Sequence, residues 1–378
     1  ITRRFWPLVG GAETQAALLA AEFQRRGCPT TILTARWQNS WPEQIEHHGT
    51  RVVRLAHPAM PYLGTWRYMT ALSQWLARHR GEYDAIFVSR LKHDAYVALD
   101  RTVVGDVPVI LRVETGGSSG ECAWHAKALF GRRIARRCRT ADAVVAPSPA
   151  LRQELLEHQF SSEQVRYIPT GVRVSPLMRG RDDLRRARAA LAAFDERLTL
   201  PEGAKLAIYA GRLHRIKNLL MLLQAWRGVI ERSPTAKLWL VGEGPQQQEL
   251  ANTVRKWNLQ KSVVLAGLFD NIDELLTAAD VAVGPSRDDS LSLTLMEAMA
   301  TAVPVVASDF GGNRVLIEHA VHGCLVRSDD PAGWADAIER AFAEPEQTAR
   351  MAADARRRVE SEFSLEACAT SHLNLAAV

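Results

Sequence analysis

Two clusters of charged residues, each leading into a helix-forming stretch, are where this chain could do chemistry. The first is Asp289 and Glu297, eight residues apart within Gly284-Pro-Ser-Arg-Asp-Asp-Ser-Leu-Ser-Leu-Thr-Leu-Met-Glu-Ala-Met-Ala300. A helix beginning near Ser292 places Leu293, Met296, Glu297 and Ala300 on one face, because residues three, four and seven apart are neighbours there. A solvated glutamate belongs on the face opposite the apolar stripe. Glu297 therefore reads as bordering a cleft in which it and Asp289 hold a hydroxyl-rich ligand near a helix N-terminus. The plain alternative is a surface glutamate on a partly exposed helix. The second cluster is Gly211-Arg-Leu-His-Arg-Ile-Lys-Asn218. Gly211 lets the backbone come close, Arg212 offers paired planar donors, Lys217 a point charge, and the helix start a partial positive charge, a set that suits a diphosphate. Two solvated loop cations are the alternative there.

The elements that must position these residues follow one pattern. Short apolar strands at 30–34, 51–55, 84–89, 107–113 and 143–146 alternate with helices at 12–26, 66–80 and 123–139. Between Gly171 and Leu200 the strands stop, and the charged, alanine-rich run from Arg181 to Arg197 marks a boundary. Alternation then resumes with strands at 205–210, 237–241, 263–266, 281–283, 303–307 and 324–326. Strands alternating with helices mean parallel sheets covered on both faces, with ligands at the carboxyl ends of the strands. The expectation is two doubly wound α/β domains facing each other: residues 1–172, a linker at 173–200, a second domain at 201–362, and a closing helix at 363–378 that crosses back to the first. Gly242-Glu-Gly-Pro245 follows a strand but has Gln247 where a third glycine would stand, which argues against a nicotinamide dinucleotide. Gly267-Leu-Phe-Asp270 could turn its backbone to a flat ring.

Composition narrows the class. At 378 residues, 47% apolar and 24% charged, the chain is of ordinary globular make-up and long enough for two cores. Uninterrupted apolar runs fall short of the ~18–20 residues a membrane span needs. Five scattered cysteines at 28, 122, 138, 324 and 368 lack a Cys-x-x-Cys pair, which disfavours a disulfide framework or zinc site and suggests a reducing, cytoplasmic setting. A net charge of +5 does not by itself indicate nucleic acid.

Taken together, Gly-Arg-Leu-x-x-x-Lys-Asn at 211–218, Leu-Val-Gly-Glu-Gly-Pro at 240–245, the 285–300 stretch and Pro-Val-Val-Ala-Ser-Asp-x-Gly-Gly at 304–312 resemble family 4 glycosyltransferases. Gly10-Gly11-Ala-Glu13, the segment 141–148 and Ile168-Pro-Thr-Gly-Val172 extend the likeness over nearly the whole chain. The resemblance implies the GT-B architecture, two Rossmann-like domains across a cleft, and retaining sugar transfer from a nucleotide-diphosphate sugar. It implies no metal or other cofactor, the nucleotide sugar being a co-substrate. By the same likeness Arg212 and Lys217 bind the donor diphosphate, Glu297 holds the ribose and Asp289 the donor sugar. Gly11 and Gly211 allow close approach, Leu268 turns its backbone to the base, and Leu291, Ser292 and Leu293 lie at the helix start beside the diphosphate. The family's apolar first strand is here reduced to Ile1-Thr2, as though truncated.

The sequence also departs from the family. Asp289 stands where the first glutamate of an E-x7-E signature should be, one methylene shorter. Leu291 replaces an aromatic, Val315 replaces a glutamate, and a first-domain histidine beside the sugar has no clean match. His93 and Glu114 are the acceptor-side candidates. The acceptor is expected to be a saccharide or a lipid-linked molecule. Arg132-Arg-Ile-Ala-Arg-Arg-Cys-Arg139, with Phe5, Trp6, Trp41, Trp66 and Tyr68 as aromatic neighbours, suggests peripheral contact with the anionic inner face of a membrane. A solvated basic face, or a polyanionic saccharide site, is the alternative. Competing functions are a GT-B nucleotide-sugar epimerase and a non-catalytic nucleotide-sugar-binding scaffold.

Overall fold

The computed structural model describes residues 1–376 apart from 9, 59, 61, 176–178, 270 and 288–290, and apart from the side chain of 119. Asp289 lies outside the described residues. The chain packs as two units, Ile1–Gly171 with Leu365–Val378, and Val172–Ser364.

The first unit holds two sheets. Strands β1 (Thr31–Arg36), β2 (Gln44–His47) and β3 (Thr50–Ala56) lie in the order β1-β3-β2, with β2 antiparallel at the edge. Strands β4 (Ile86–Ser89), β5 (Val109–Arg112), β6 (Ala143–Ala146) and β7 (Val165–Tyr167) form a parallel sheet in sequence order. Ile1–Arg3 lies between the two sheets: Thr2 N donates to Leu33 O and Ala35 N to Arg3 O on one side, while Ser89 N donates to Ile1 O on the other. The helix Leu365–Ala376 belongs to this unit, burying Leu365, Cys368 and Ala369 with Leu19, Phe23, Ile110 and Val145.

The second unit is one six-stranded parallel sheet of β8 (Leu206–Ala210), β9 (Lys237–Val241), β10 (Val263–Gly267), β11 (Val281–Gly284), β12 (Val305–Ser308) and β13 (Cys324–Val326). Their order is β10-β9-β8-β11-β12-β13. Ile208, Trp239 and Ala282 face one core while Ala207, Leu238 and Val281 face the other. Burial on both sides is why these strands read as continuous apolar runs rather than alternating ones.

Three sequence expectations change. The segment 173–200 is part of the second unit: its helix Arg181–Phe194 buries Ala187 and Leu191 in that core. Arg188 pairs with Asp280 at 2.6 Å and donates to Ala278 O, so a run read as a boundary between domains is tethered to the second. The basic stretch expected as one helix at 123–139 is two, Glu121–Lys127 and Gly131–Cys138. The chain turns between them so tightly that a Cβ on Gly131 would lie 2.3 Å from His125 O. Phe5 and Tyr68, expected among the aromatic neighbours of a membrane-facing basic stretch, are core residues, whereas Trp6 and Trp66 are exposed.

Candidate functional site

In the second unit the strand order runs outward in both directions from the β8/β11 pair. That reversal opens a crevice at the carboxyl ends of the two strands, the place where doubly wound sheets hold ligands. The loop after β8 carries Gly211, Arg212 and Lys217, and the loop after β11 leads to Ser292, Leu293 and Glu297. The two loops touch, Arg287 N donating to Ile216 O at 2.9 Å.

The β8 loop is held by its neighbour rather than by its own turn. Gly211 N donates to Val241 O, Leu213 N to Glu243 O, and Gln246 N to Leu213 O. Tyr209 Oη donates to Arg212 O at 3.0 Å. A Cβ on Gly242, whose φ is +124°, would lie 2.1 Å from Gly211 O, and one on Gly244 would lie 2.3 Å from Leu213 O. The glycines of Gly242-Glu-Gly-Pro245 thus admit the loop that carries Arg212. One 3-10 turn, Arg215–Lys217, follows, capped by His214 Nδ1, which accepts from Ile216 N. Asn218 then enters the left-handed region, φ +57°, anchored through Nδ2 to Ser328 O at 2.7 Å. The Arg212 side chain is exposed, and Lys217 is partly so.

Ser292 caps the helix Leu293–Ala300, its hydroxyl accepting from Leu295 N. Leu291 is buried in the core and Leu293 packs against it, so both act as anchors for the helix start. Glu297 is partly exposed, and among the described residues no hydrogen bond or ion pair to its carboxylate is present. Burial lifts its carboxyl to about 7, with the negative charge of Asp273 adding to the effect. Leu268, one residue past β10, is 68% exposed, an uncovered apolar side chain at the same edge of the sheet.

In the first unit, Gly11 opens the helix Gly11–Arg25. Glu114 lies just past β5, accepting from Ser89 Oγ at 3.0 Å and facing Arg112 Nε at 3.2 Å. Arg112 is buried and also donates to Thr170 Oγ1. Behind them the buried Glu121 accepts from the amides of Glu114 and Thr115, and burial followed by the Glu114 charge pushes it up to about 7. His93 sits edge-on to Trp124 at 5.2 Å, and burial, then Arg3 and Lys92, lower it to about 4. It is neutral at physiological pH.

Sequence reasoning passed over Arg3, Arg90 and His57, which stand with these groups at the carboxyl ends of the strands. Arg90 has φ +80°, a strained backbone for a residue with a side chain, and its guanidinium is 3.6 Å from the buried Glu13. The one sequence signal was Glu13, two residues past Gly11 in the Gly10-Gly11-Ala-Glu13 motif and in the first turn of its helix.

A doubly wound unit with this loop set at its switch point defines an α/β protein whose candidate site lies at the carboxyl edge of its sheet. The Glycosyltransferase Family 4 model matches residues 9–175 and the Glycosyl transferases group 1 model matches residues 204–344. The chain belongs to the family 4 (group 1) glycosyltransferases. It is 32% identical over 223 residues to D-inositol 3-phosphate glycosyltransferase of Streptomyces griseus, a match covering 54% of this chain and 47% of that enzyme. An enzyme of the same name from Xylanimonas cellulosilytica is 27% identical over 92% of this chain and 87% of its own. This chain thus spans about half of the first relative and most of the second. The GT-B fold is shared with Anabaena HepE, solved in complex with UDP and glucose, at TM-score 0.79 and 19% identity over 100% of this chain and 98% of that one.

Proposed function

We propose that this protein transfers a sugar, with retention of configuration, from a nucleoside-diphosphate sugar to a saccharide or lipid-linked acceptor, as in cell-envelope polysaccharide or glycolipid synthesis. The observation that carries this reading is the pair of touching loops at the β8/β11 switch point, with Arg212 and Lys217 on one and the Ser292-capped helix with Glu297 on the other. Arg212 and Lys217 hold the diphosphate and stabilise the charge that grows on it as it leaves. The helix N-terminus adds its partial charge. Glu297 accepts from the ribose hydroxyls, Leu268 lies against the base, and Asp289 reaches the sugar.

Retention without a protein nucleophile follows if the acceptor hydroxyl attacks C1 from the leaving-group side. Its proton passes to the departing phosphate oxygen as the C1–O bond breaks. The protein then supplies position and charge stabilisation, with the nucleotide sugar as co-substrate and no resident cofactor. The first unit takes the acceptor, with Glu114 and neutral His93 at its strand ends. Among the described residues no helix is long and apolar enough to cross a membrane. Leu129 and Phe130, each 67% exposed, precede the exposed Arg132, Arg133 and Arg136. Apolar tips backed by arginines fit peripheral contact with an anionic inner-leaflet surface carrying a lipid-linked acceptor.

The test is nucleoside-diphosphate release from a panel of nucleotide sugars headed by UDP-glucose, with and without saccharide and lipid acceptors. Release that needs an acceptor supports the reading. Interconversion of the donor alone would mark an epimerase, and binding without turnover a scaffold; either overturns it.

A further inference from the structure

The first unit gathers cations that, among the described residues, have little or no direct carboxylate pairing. Arg3 leaves the segment that lies between β1 and β4, so it emerges at the carboxyl edge of the sheet beside Arg90 and Lys92. Its Nη2 meets His57 Nε2 at 3.0 Å and Thr65 Oγ1 at 2.6 Å. A guanidinium only donates, so Nε2 of His57 accepts and the ring is neutral, as burial and the Arg3 charge also require. The guanidinium lies 5.7 Å from the Trp37 ring and 5.5 Å from that of Tyr68, and its Nε is buried without a hydrogen bond. His57, 8% exposed, has an Nδ1 with no partner in another residue. Lys92 is partly buried, its ammonium 5.0 Å from the Trp124 ring. Among the described residues neither Arg3 nor Lys92 has a carboxylate within ion-pair distance, and Arg90 has only Glu13 at 3.6 Å.

The acids nearby do not fill that role. Asp94 and Glu121 are buried and act on these cations only through space, Asp94 on Arg3 and Arg90 and Glu121 on Lys92 and Arg90, and among the described residues neither acid forms an ion pair with them. Glu114 is already engaged by Arg112 and Ser89. A partly buried cation without a counter-ion is costly, and strain such as that at Arg90 collects where a ligand is held. We infer that this carboxyl edge of the first unit takes an acceptor bearing an anionic oxygen group, a phosphate or a carboxylate, seated against Arg3 and Lys92 with Arg90 beside them. The inference rests on the transferase reading, in which the first unit holds the acceptor.

The experiment is a thermal-shift and calorimetric titration of the full chain with inorganic phosphate, glucuronate and glucose. It is run on the wild type and on Lys92→Ala, Arg3→Gln and Arg212→Ala. At least one anion should bind the wild type while glucose does not, and Lys92→Ala should weaken that binding about tenfold or more, the effect of losing one charge-assisted hydrogen bond. Arg212→Ala, altered in the other unit, should remove only phosphate held at the donor loops and leave the Lys92-dependent binding intact. A Lys92-dependent response to phosphate alone assigns a phosphorylated acceptor, and to glucuronate alone a uronic acid. Arg3 is packed between rings, so Lys92→Ala decides the matter if Arg3→Gln does not fold. Absence of any anion binding, equal binding of glucose, wild-type affinity in Lys92→Ala, or loss confined to Arg212→Ala would each overturn the inference. Failure to bind any nucleotide sugar would instead defeat the transferase reading, a separate measurement on the same protein.

Discussion

Replacing Glu297 by glutamine keeps the side-chain shape and removes its charge. The carboxyl is lifted from an ordinary 4.5 to about 7, chiefly by burial and secondarily by Asp273. A gap of that size corresponds to about 3 kcal/mol between the two protonation states, an upper bound because the side chain is partly exposed. The folded protein holds this proton more tightly than the unfolded chain does. Stability from this group is therefore complete below about pH 4.5, falls as pH rises towards 7, and is gone beyond it. Glutamine cannot ionise, so unliganded Glu297→Gln should match the wild type near pH 4.5 and exceed it above about pH 8. For a unit of this size the gain would be on the order of 5–10 °C in Tm. Thermal unfolding across that range, without nucleotide, is the assay. With a saturating nucleotide sugar the order should narrow or reverse, because the variant holds the ribose less well and gains less from binding. Parallel curves for the two proteins at every pH would refute the assignment of a part-buried carboxylate that faces a ligand rather than a protein partner.

Three further outcomes follow from the geometry. Arg212→Lys should keep a positive charge yet lose about tenfold or more in donor affinity by titration, since an ammonium cannot reproduce two parallel donors. Gly242→Ala, whose new Cβ would lie 2.1 Å from Gly211 O at φ +124°, should cost at least about 2 kcal/mol in denaturant unfolding and weaken donor binding by displacing the Arg212 loop. The paired change Leu129→Ser and Phe130→Ser should reduce sedimentation with phosphatidylglycerol vesicles severalfold, while turnover on a water-soluble acceptor stays at the wild-type rate.

Much of the second unit was legible because its strands are buried on both faces. Each of the six appeared as a short apolar run, and the residues at their ends stood out as polar or glycine. The helix Leu293–Ala300 could be read from Ser292 as its cap. The edge strands β2 and β7 were missed, since Gln44–His47 and Val165–Tyr167 are half polar and bury little. The alanine-rich run at 181–194 was read as a linker because it offers no strand, whereas Arg188 reaches Asp280 and a backbone carbonyl across ninety residues of chain or more. At the site, Arg212, Lys217 and Glu297 were visible as charges at the strand ends. Arg3 and Arg90 were not, because their significance depends on what fails to face them. Nor could sequence explain Gly242 and Gly244, whose role is contact with a loop about thirty residues earlier.

The account's central claim is that a nucleotide sugar binds at the β8/β11 switch point. Calorimetric titration of UDP-, GDP-, ADP- and dTDP-sugars into the wild type, Lys217→Ala and Glu297→Ala tests it most directly. One nucleotide series should bind the wild type, and both variants should lose most of that affinity while remaining folded. Undiminished affinity in both variants would place the donor elsewhere and contradict the account.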